Sequence, residues 1–301
     1  MMFDFLTIQN RAIGMKQPCF IIAEAGVNHN GDMALAKQLI DAAQTAGADA
    51  VKFQTWITEK LVTQAAPMAE YQQHNLQRDD SQFAMLKELE LSQSVFRELK
   101  TYAEQRGILF FSTPDEEDSA DFLEALGVPL FKIGSGEVTN VPFLRHIAAK
   151  NKPMILSTGM SYLYEVEQAV RTIESTGNQQ LFLLHCVSNY PAQPEECNLH
   201  AMDTLRQAFQ YPVGFSDHTM GIEVAIAAVA QGACIIEKHL TLDKTLPGPD
   251  HAASLDAAEF AHMVRAIRLV EAALGSGRKA PTASELETRK VVQKSIVAKH
   301  A

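Results

Sequence analysis

Short apolar runs recur along the chain, and each gives way at once to polar residues. They are Cys19–Ala23, Ala50–Gln54, Ile108–Phe111, Leu130–Ile133, Pro153–Leu156, Leu181–Cys186, and the starts of Val213–His218 and Ile235–His239. Near-continuous apolar runs are what strands covered on both faces require. A helical pattern follows each run. Asp32 is an N-cap candidate for a helix carrying Leu35, Leu39, Ile40 and Ala43, which Gly47 stops. A helix over 93–106 ends at Gly107, and the acids Asp115, Glu116, Glu117 and Asp118 open the next, as a helix dipole favours. Others follow Asn140 and cover about 162–176, 199–209 and 221–232. Asp256 and Glu259 make a capping-box start for a last long helix with Phe260, Met263, Val264, Ile267, Val270 and Leu274 on one face. Eight strand–helix repeats predict an α/β fold of the (β/α)8 barrel type over residues 19–278. A doubly wound open sheet is the competing architecture, but no GxGxxG fingerprint follows the first run.

The flanks read differently. Residues 1–18, ending at Pro18, predict a hairpin or plug ahead of the barrel. Region 55–80 is long and polar, with Tyr71, His74 and Arg78, and predicts a lid or binding loop. After Gly275 the chain turns polar. Residues 279–301 read as a linker, with an amphipathic stretch at 284–293 and a short apolar strand at Lys294–Ala298.

Charge and cysteine usage narrow the class. The 301 residues carry 26 basic and 36 acidic side chains, a net charge of −10, which disfavours nucleic acid and anionic membrane surfaces as partners. Cys19, Cys186, Cys197 and Cys234 form no CxxC pair, and three of them sit in or beside apolar runs. That is the pattern of reduced core thiols in a cytoplasmic protein. No apolar run approaches the roughly 18 residues of a membrane span, and the N-terminus lacks a basic-then-apolar leader.

Candidate chemistry collects where the apolar runs end. In α/β barrels those ends form one rim, where active sites are built. A single strand-end histidine reads as a satisfied core group. His218 and His239, at equivalent places in adjacent units and flanked by carboxylates, read as ligands of a divalent metal. A lysine inside a strand is either an edge side chain snorkelling to water or an inward cation for an anion. Lys52 and Lys132 repeat that placement, and Gly134-Ser135-Gly136 adds backbone N–H groups for an oxyanion. Glu24, Gln54, Thr113, Ser157, Ser188, Tyr190, Ser216 and Glu237 also stand at run ends. Convergence of this set on one mouth predicts a site for a phosphorylated substrate and a metal.

Several stretches, in their order, resemble the sialic acid synthase family. They are Ala23-Glu24-Ala25-Gly26-Val27-Asn28-His29-Asn30-Gly31, Val51-Lys52-Phe53-Gln54-Thr55, Ser112-Thr113-Pro114, Lys132-Ile133-Gly134-Ser135-Gly136-Glu137, Ser157-Thr158-Gly159-Met160, Gly214-Phe215-Ser216-Asp217-His218, Glu237-Lys238-His239 and Pro247-Gly248-Pro249-Asp250-His251. The resemblance implies a barrel that condenses phosphoenolpyruvate with an N-acyl hexosamine, such as N-acetylmannosamine or a diacetamido-trideoxyhexose, to a nonulosonic acid and phosphate. It implies Mn2+ or Mg2+ on His218 and His239. It places phosphoenolpyruvate on Lys52, Thr113, Lys132, Ser135, Ser157, Ser188, Ser216 and Lys294, and the sugar on Glu24, Gln54, Tyr190 and Asp250. Glu137 and Glu237 join Glu24 and Gln54 near the reacting carbons.

The resemblance also implies a homodimer, in which a C-terminal antifreeze-like (SAF) domain usually lends an arginine to the partner's sugar site. That domain is not seen in this sequence, so the expectation is a barrel whose phosphoenolpyruvate and metal binding outlast sugar turnover, with a weakened dimer. Asp115 after Pro114, and Ser188 where some relatives carry Asn, depart from the family pattern. Three other readings compete: a non-catalytic sugar- or phosphate-binding barrel, a metal-dependent pyruvate aldolase, and a Schiff-base mechanism on Lys52 or Lys132.

Overall fold

The computed structural model describes residues 5–76, 81–297 and 299. Arg78 of the expected lid lies outside them, as do the side chains of Tyr71 and His74. A hairpin of β1 (Phe5–Ile8) and β2 (Arg11–Gly14) precedes eight parallel strands. These are β3 (Phe20–Gly26), β4 (Ala50–Thr55), β5 (Leu109–Pro114), β6 (Phe131–Ile133), β7 (Met154–Ser157), β8 (Leu181–Cys186), β9 (Val213–Asp217) and β10 (Ile235–His239). Their hydrogen-bonded order is β5-β4-β3-β10-β9-β8-β7-β6, so the first and last strands of the repeat pair with each other. β5 and β6, at the two ends of that order, also lie side by side and close the ring. The fold is the (β/α)8 barrel.

Local signals behave as the pattern requires. The Asp32 side chain accepts from the amides of Ala34 and Leu35 and caps helix Met33–Ala46, which ends at Gly47 with φ 83°. Asp256 and Glu259 form the capping box of helix Ala257–Leu274. Gly214 interrupts an otherwise bulky strand because a Cβ there would collide with the Ile235 carbonyl, so its absence lets β9 lie against β10. The acidic run needs one correction: Glu116, not Asp115, caps helix Glu117–Leu126, and Asp115 stays outside it.

Two flanking segments also depart from expectation. Region 55–80 is not simply a polar loop. It contains helices Thr58–Leu61 and Glu70–Leu76, and with helix Gln82–Leu89 it packs Trp56, Met68, Met85 and Leu89 against Val27 in a small apolar cluster of its own. Asn75 Nδ2 donates to the Pro249 carbonyl at 2.6 Å and ties this subdomain to the loop bearing Asp250. In the tail, helix Ala283–Val292 forms with no buried residue. Residues 294–297 make no strand and lie exposed.

Candidate active site

Strand alternation sends every second side chain into the barrel. In β4 this puts Lys52 inside, where its Nζ lies 2.8 Å from Glu24 Oε2 and 2.9 Å from Thr113 Oγ1. Glu237 Oε2 lies 3.7 Å from the same ammonium, and Glu237 Oε1 lies 3.3 Å from Lys132 Nζ. Gln54 Nε2 donates to Glu24 Oε1 at 3.0 Å, and Ser216 Oγ donates to Glu237 Oε1 at 2.8 Å. Lys52, Lys132, Glu24, Glu237, Thr113 and Ser216 are all buried. The snorkelling reading of the strand lysines is therefore excluded.

The two buried carboxylates titrate in opposite directions. For Glu237, burial opposes ionisation, but Lys132 and Lys52 overcome it and hold the carboxyl well below its ordinary range. For Glu24, burial dominates, Lys52 offsets it only in part, and the charge of Glu237 adds to it, so the carboxyl rises. Lys52 is itself disfavoured as a cation by burial. Glu237 and Glu24 reverse that and raise its pKa, so the amine stays protonated. A Schiff base needs a neutral amine, so this environment does not suit one on Lys52.

A hydroxyl cluster lines the opposite wall. Ser135 Oγ accepts from the Gly159 amide at 3.0 Å and lies 3.2 Å from Cys186 Sγ. A Cβ on Gly159 would collide with Ser188 Oγ and come within 2.9 Å of both Cys186 Sγ and Ser135 Oγ. Glycine here lets three strand ends converge. Ser157 Oγ is buried with no hydrogen-bond partner. Glu137 sits half-buried on the turn Ser135–Glu137 and accepts from Asn140 Nδ2 at 2.7 Å.

His218 and His239 face each other with ring centres 5.6 Å apart. The Tyr190 ring lies 4.1 Å from the first and 5.5 Å from the second. Burial lowers the pKa of His218 to about 4 and that of His239 well below the usual value, so both are neutral near pH 7. The Val187 carbonyl lies 2.6 Å from His218 Nδ1, which makes that nitrogen the protonated one and leaves Nε2 with a lone pair. His239 Nδ1 has no hydrogen-bond partner, and Asp250 Oδ2 stands 3.7 Å away. Burial raises Asp250 to about 7. Neutral imidazoles with available lone pairs fit a divalent ion. Among the described residues no group of three or more His, Cys, Asp or Glu forms a fuller cage. Two imidazoles would thus leave coordination positions for water or substrate oxygen.

The sequence-predicted residues of the barrel therefore share one mouth. Lys294 does not join them. It lies exposed beyond helix Ala283–Val292, which packs no side chain on the barrel, so nothing carries it to the rim. Asp115 joins the mouth although it was not among the expected site residues. Its amide donates to the Thr55 carbonyl at 3.0 Å, and it follows Thr113 by two positions on the same side of the strand. Burial raises its carboxyl to about 7, Lys52 opposes the rise, and Glu137 and Glu24 add to it. An acid directly beyond a strand's C-terminal end was the available signal.

Fold and site together define a (β/α)8 barrel with a buried, mutually coupled set of ionisable groups at its C-terminal mouth. A NeuB family model matches residues 39–279. The chain is 52% identical over 287 residues to N,N'-diacetyllegionaminic acid synthase of Legionella pneumophila, a match covering 94% of this chain and 81% of that protein. It is 40% identical over 291 residues to N-acetylneuraminate-9-phosphate synthase of Homo sapiens, covering 96% and 80%. The crystal structure of an N-acetylneuraminic acid (sialic acid) synthetase from Leptospira borgpetersenii in complex with citrate aligns with a TM-score of 0.83 at 36% identity, covering 97% of this chain and 98% of that one. The chain belongs to the NeuB family.

Proposed function

We propose that the protein condenses phosphoenolpyruvate with an N-acyl hexosamine, N-acetylmannosamine or a diacetamido-trideoxyhexose, to give a nonulosonic acid and phosphate. Mn2+ or Mg2+ would be held by His218 and His239. The observation that carries this reading is the meeting of two neutral imidazoles with two buried lysines and a wall of hydroxyls at one barrel mouth. The synthase names of the relatives support it.

Lys52, Lys132, Thr113, Ser135, Ser157, Ser188 and Ser216 bind the phosphate and carboxylate of phosphoenolpyruvate. Ser157 Oγ, buried and unpartnered, is a donor in waiting. Glu237, ionised between the two lysines, helps keep Lys52 charged and lies 3.3 Å from Lys132 Nζ. Tyr190, Asp250, Gln54 and Glu24 orient the open-chain sugar. A divalent ion bound at the imidazoles supplies Lewis acidity toward a carbonyl oxygen.

The methylene carbon of phosphoenolpyruvate attacks the sugar aldehyde, whose oxygen carries the resulting negative charge until it takes the proton that Glu24 removes from water. Positive charge develops at C2, and water adds there. Glu24, raised by burial, receives one proton of the water, with Glu137 on the turn Ser135–Glu137 the alternative base. The C2–O bond to phosphate then breaks. Its electron pair leaves with phosphate, which takes up the proton of the C2 hydroxyl, and the 2-keto acid remains. The lysines offset the leaving charge.

The four buried, unpaired cysteines support a cytoplasmic setting. Exposed Met160, Tyr162, Leu163 and Tyr164 beside the mouth support a homodimer. The test is phosphate release from phosphoenolpyruvate with Mn2+ and a panel of N-acyl hexoses. Release that needs both sugar and metal is expected. Pyruvate turnover without phosphate would replace this reading by an aldolase, and binding without turnover would replace it by a non-catalytic barrel.

A further inference from the structure

Behind the two imidazoles lies an ion pair that the chemistry above does not use. Ser216, His218, Glu237 and His239 face the barrel interior, so alternation turns Asp217 and Lys238 outward. Both are buried, their side chains wholly so. Lys238 Nζ lies 2.8 Å from Asp217 Oδ2 and 2.5 Å from the Thr219 carbonyl. Asp217 Oδ1 accepts from the Thr219 amide at 2.9 Å and the Thr219 hydroxyl at 2.7 Å. His218 is therefore the middle residue of an Asx turn, and the residues on both sides of it are bonded to one ammonium. That ammonium belongs to the residue between Glu237 and His239. The His218 carbonyl in turn accepts from the Ala192 amide at 2.9 Å, which ties in the loop carrying Tyr190.

We infer that Lys238, through Asp217 and Thr219, is a positioning residue that sets the separation and orientation of His218 and His239. The outer face of a barrel strand packs against helices, where apolar side chains serve stability best. An ion pair there costs desolvation, and its best-attested return is fixed register. Here the register couples β9 to β10, with Lys238 paired opposite Asp217 and Glu237 opposite Ser216. The inference rests on the metal reading proposed above for its functional meaning, but the geometry it predicts does not need a metal to be measured.

The test uses the full chain. Lys238→Met alone leaves Asp217 as a buried unpaired charge and can fail to fold. The charge-free double variant Asp217→Asn/Lys238→Met keeps the packing volume. Calorimetry with Mn2+ alone is expected to show at least a tenfold loss of affinity. Affinity for phosphoenolpyruvate without metal should change less than threefold. In metal-free protein, the nuclear Overhauser contact between the Tyr190 and His218 rings, expected at 4.1 Å, should weaken or vanish. A folded double variant with parental Mn2+ affinity and ring contact overturns the inference. So does a loss of both affinities in step with the thermal midpoint, since that is what a purely structural pair would produce. If the parent binds no Mn2+, the metal reading fails, and the ring contact alone decides the positioning role.

Discussion

At the N-terminal end of the barrel, Ile8 and Ile13 of the hairpin are buried in the same core as Phe20. Arg11 pairs with Asp49 and lies over the Phe20 ring at 5.1 Å. Asp49 also receives the Ile21 amide at 2.8 Å and Arg268 at 3.0 Å. At the C-terminal end the balance is reversed. Among the described residues, Asn28 Oδ1, His29 Nε2, Ser157 Oγ and His239 Nδ1 are buried side-chain atoms without a hydrogen-bond partner, and all lie there, whereas Glu24 Oε2 and Glu237 Oε2 are matched there only by the Lys52 ammonium. Native proteins leave few such atoms, and each calls for an explanation. One end completes its polar pairing and holds the fold. The other keeps groups in reserve for something that binds, at a cost in stability.

The sharpest break of this contrast is Lys52→Met. It removes the ammonium beside Glu24 in a buried site, while Glu237 keeps Lys132, and breaking such a pair costs about 3–5 kcal/mol. Urea unfolding should show that loss, and kcat/KM should fall by roughly 10^3 or more with the lost charge stabilisation. Glu24→Gln/Lys52→Met should regain part of the stability and none of the activity. A single variant as stable as the parent would remove the electrostatic account of the mouth.

A second test concerns acid. Burial lowers His29 to about 4 from an ordinary 6.5. The folded state therefore binds this proton more weakly than the unfolded chain does. The stability at stake is present above pH 6.5 and is lost as pH falls toward 4, on the order of 3 kcal/mol for a shift of this size. Asp250, raised to about 7 by burial, has the opposite sign, so it favours the fold as pH falls. Comparing His29→Gln with the parent isolates the histidine: the variant's stability should decline less between pH 6.5 and 4. Parallel pH curves would sink the claim.

The smallest effect belongs to the closed end. Ile13→Val removes one buried methylene and should cost about 1 kcal/mol, with kcat/KM within about twofold of the parent. A larger kinetic loss than thermodynamic loss would mean the hairpin end is not separable from the mouth.

Much of the barrel is legible in the chain because its strands and caps are local chemistry. The apolar runs, Asp32 with Gly47, and Asp256 with Glu259 each act within one element. The mouth was legible as a set because a strand's C-terminal end is a property of position along the chain. The packing of region 55–80 is hidden in the sequence because its apolar residues are scattered, and Trp56, Met68, Met85 and Leu89 make a cluster only once helices gather them. Lys294 is not legible in this way, because a family resemblance says nothing of where an exposed tail runs.

The sequence by itself determined the repeat of strand and helix, the elements' caps, and which side chains stand at strand ends. Tertiary structure alone decided that Glu24 and Glu237 titrate in opposite directions, that Asp115 joins the mouth, and that Lys238 reaches across to Asp217. The reason is range. Periodicity and capping act over a few residues of chain, whereas burial and Coulomb forces act over a few ångströms of space, and only the closed ring of strands makes those distances short.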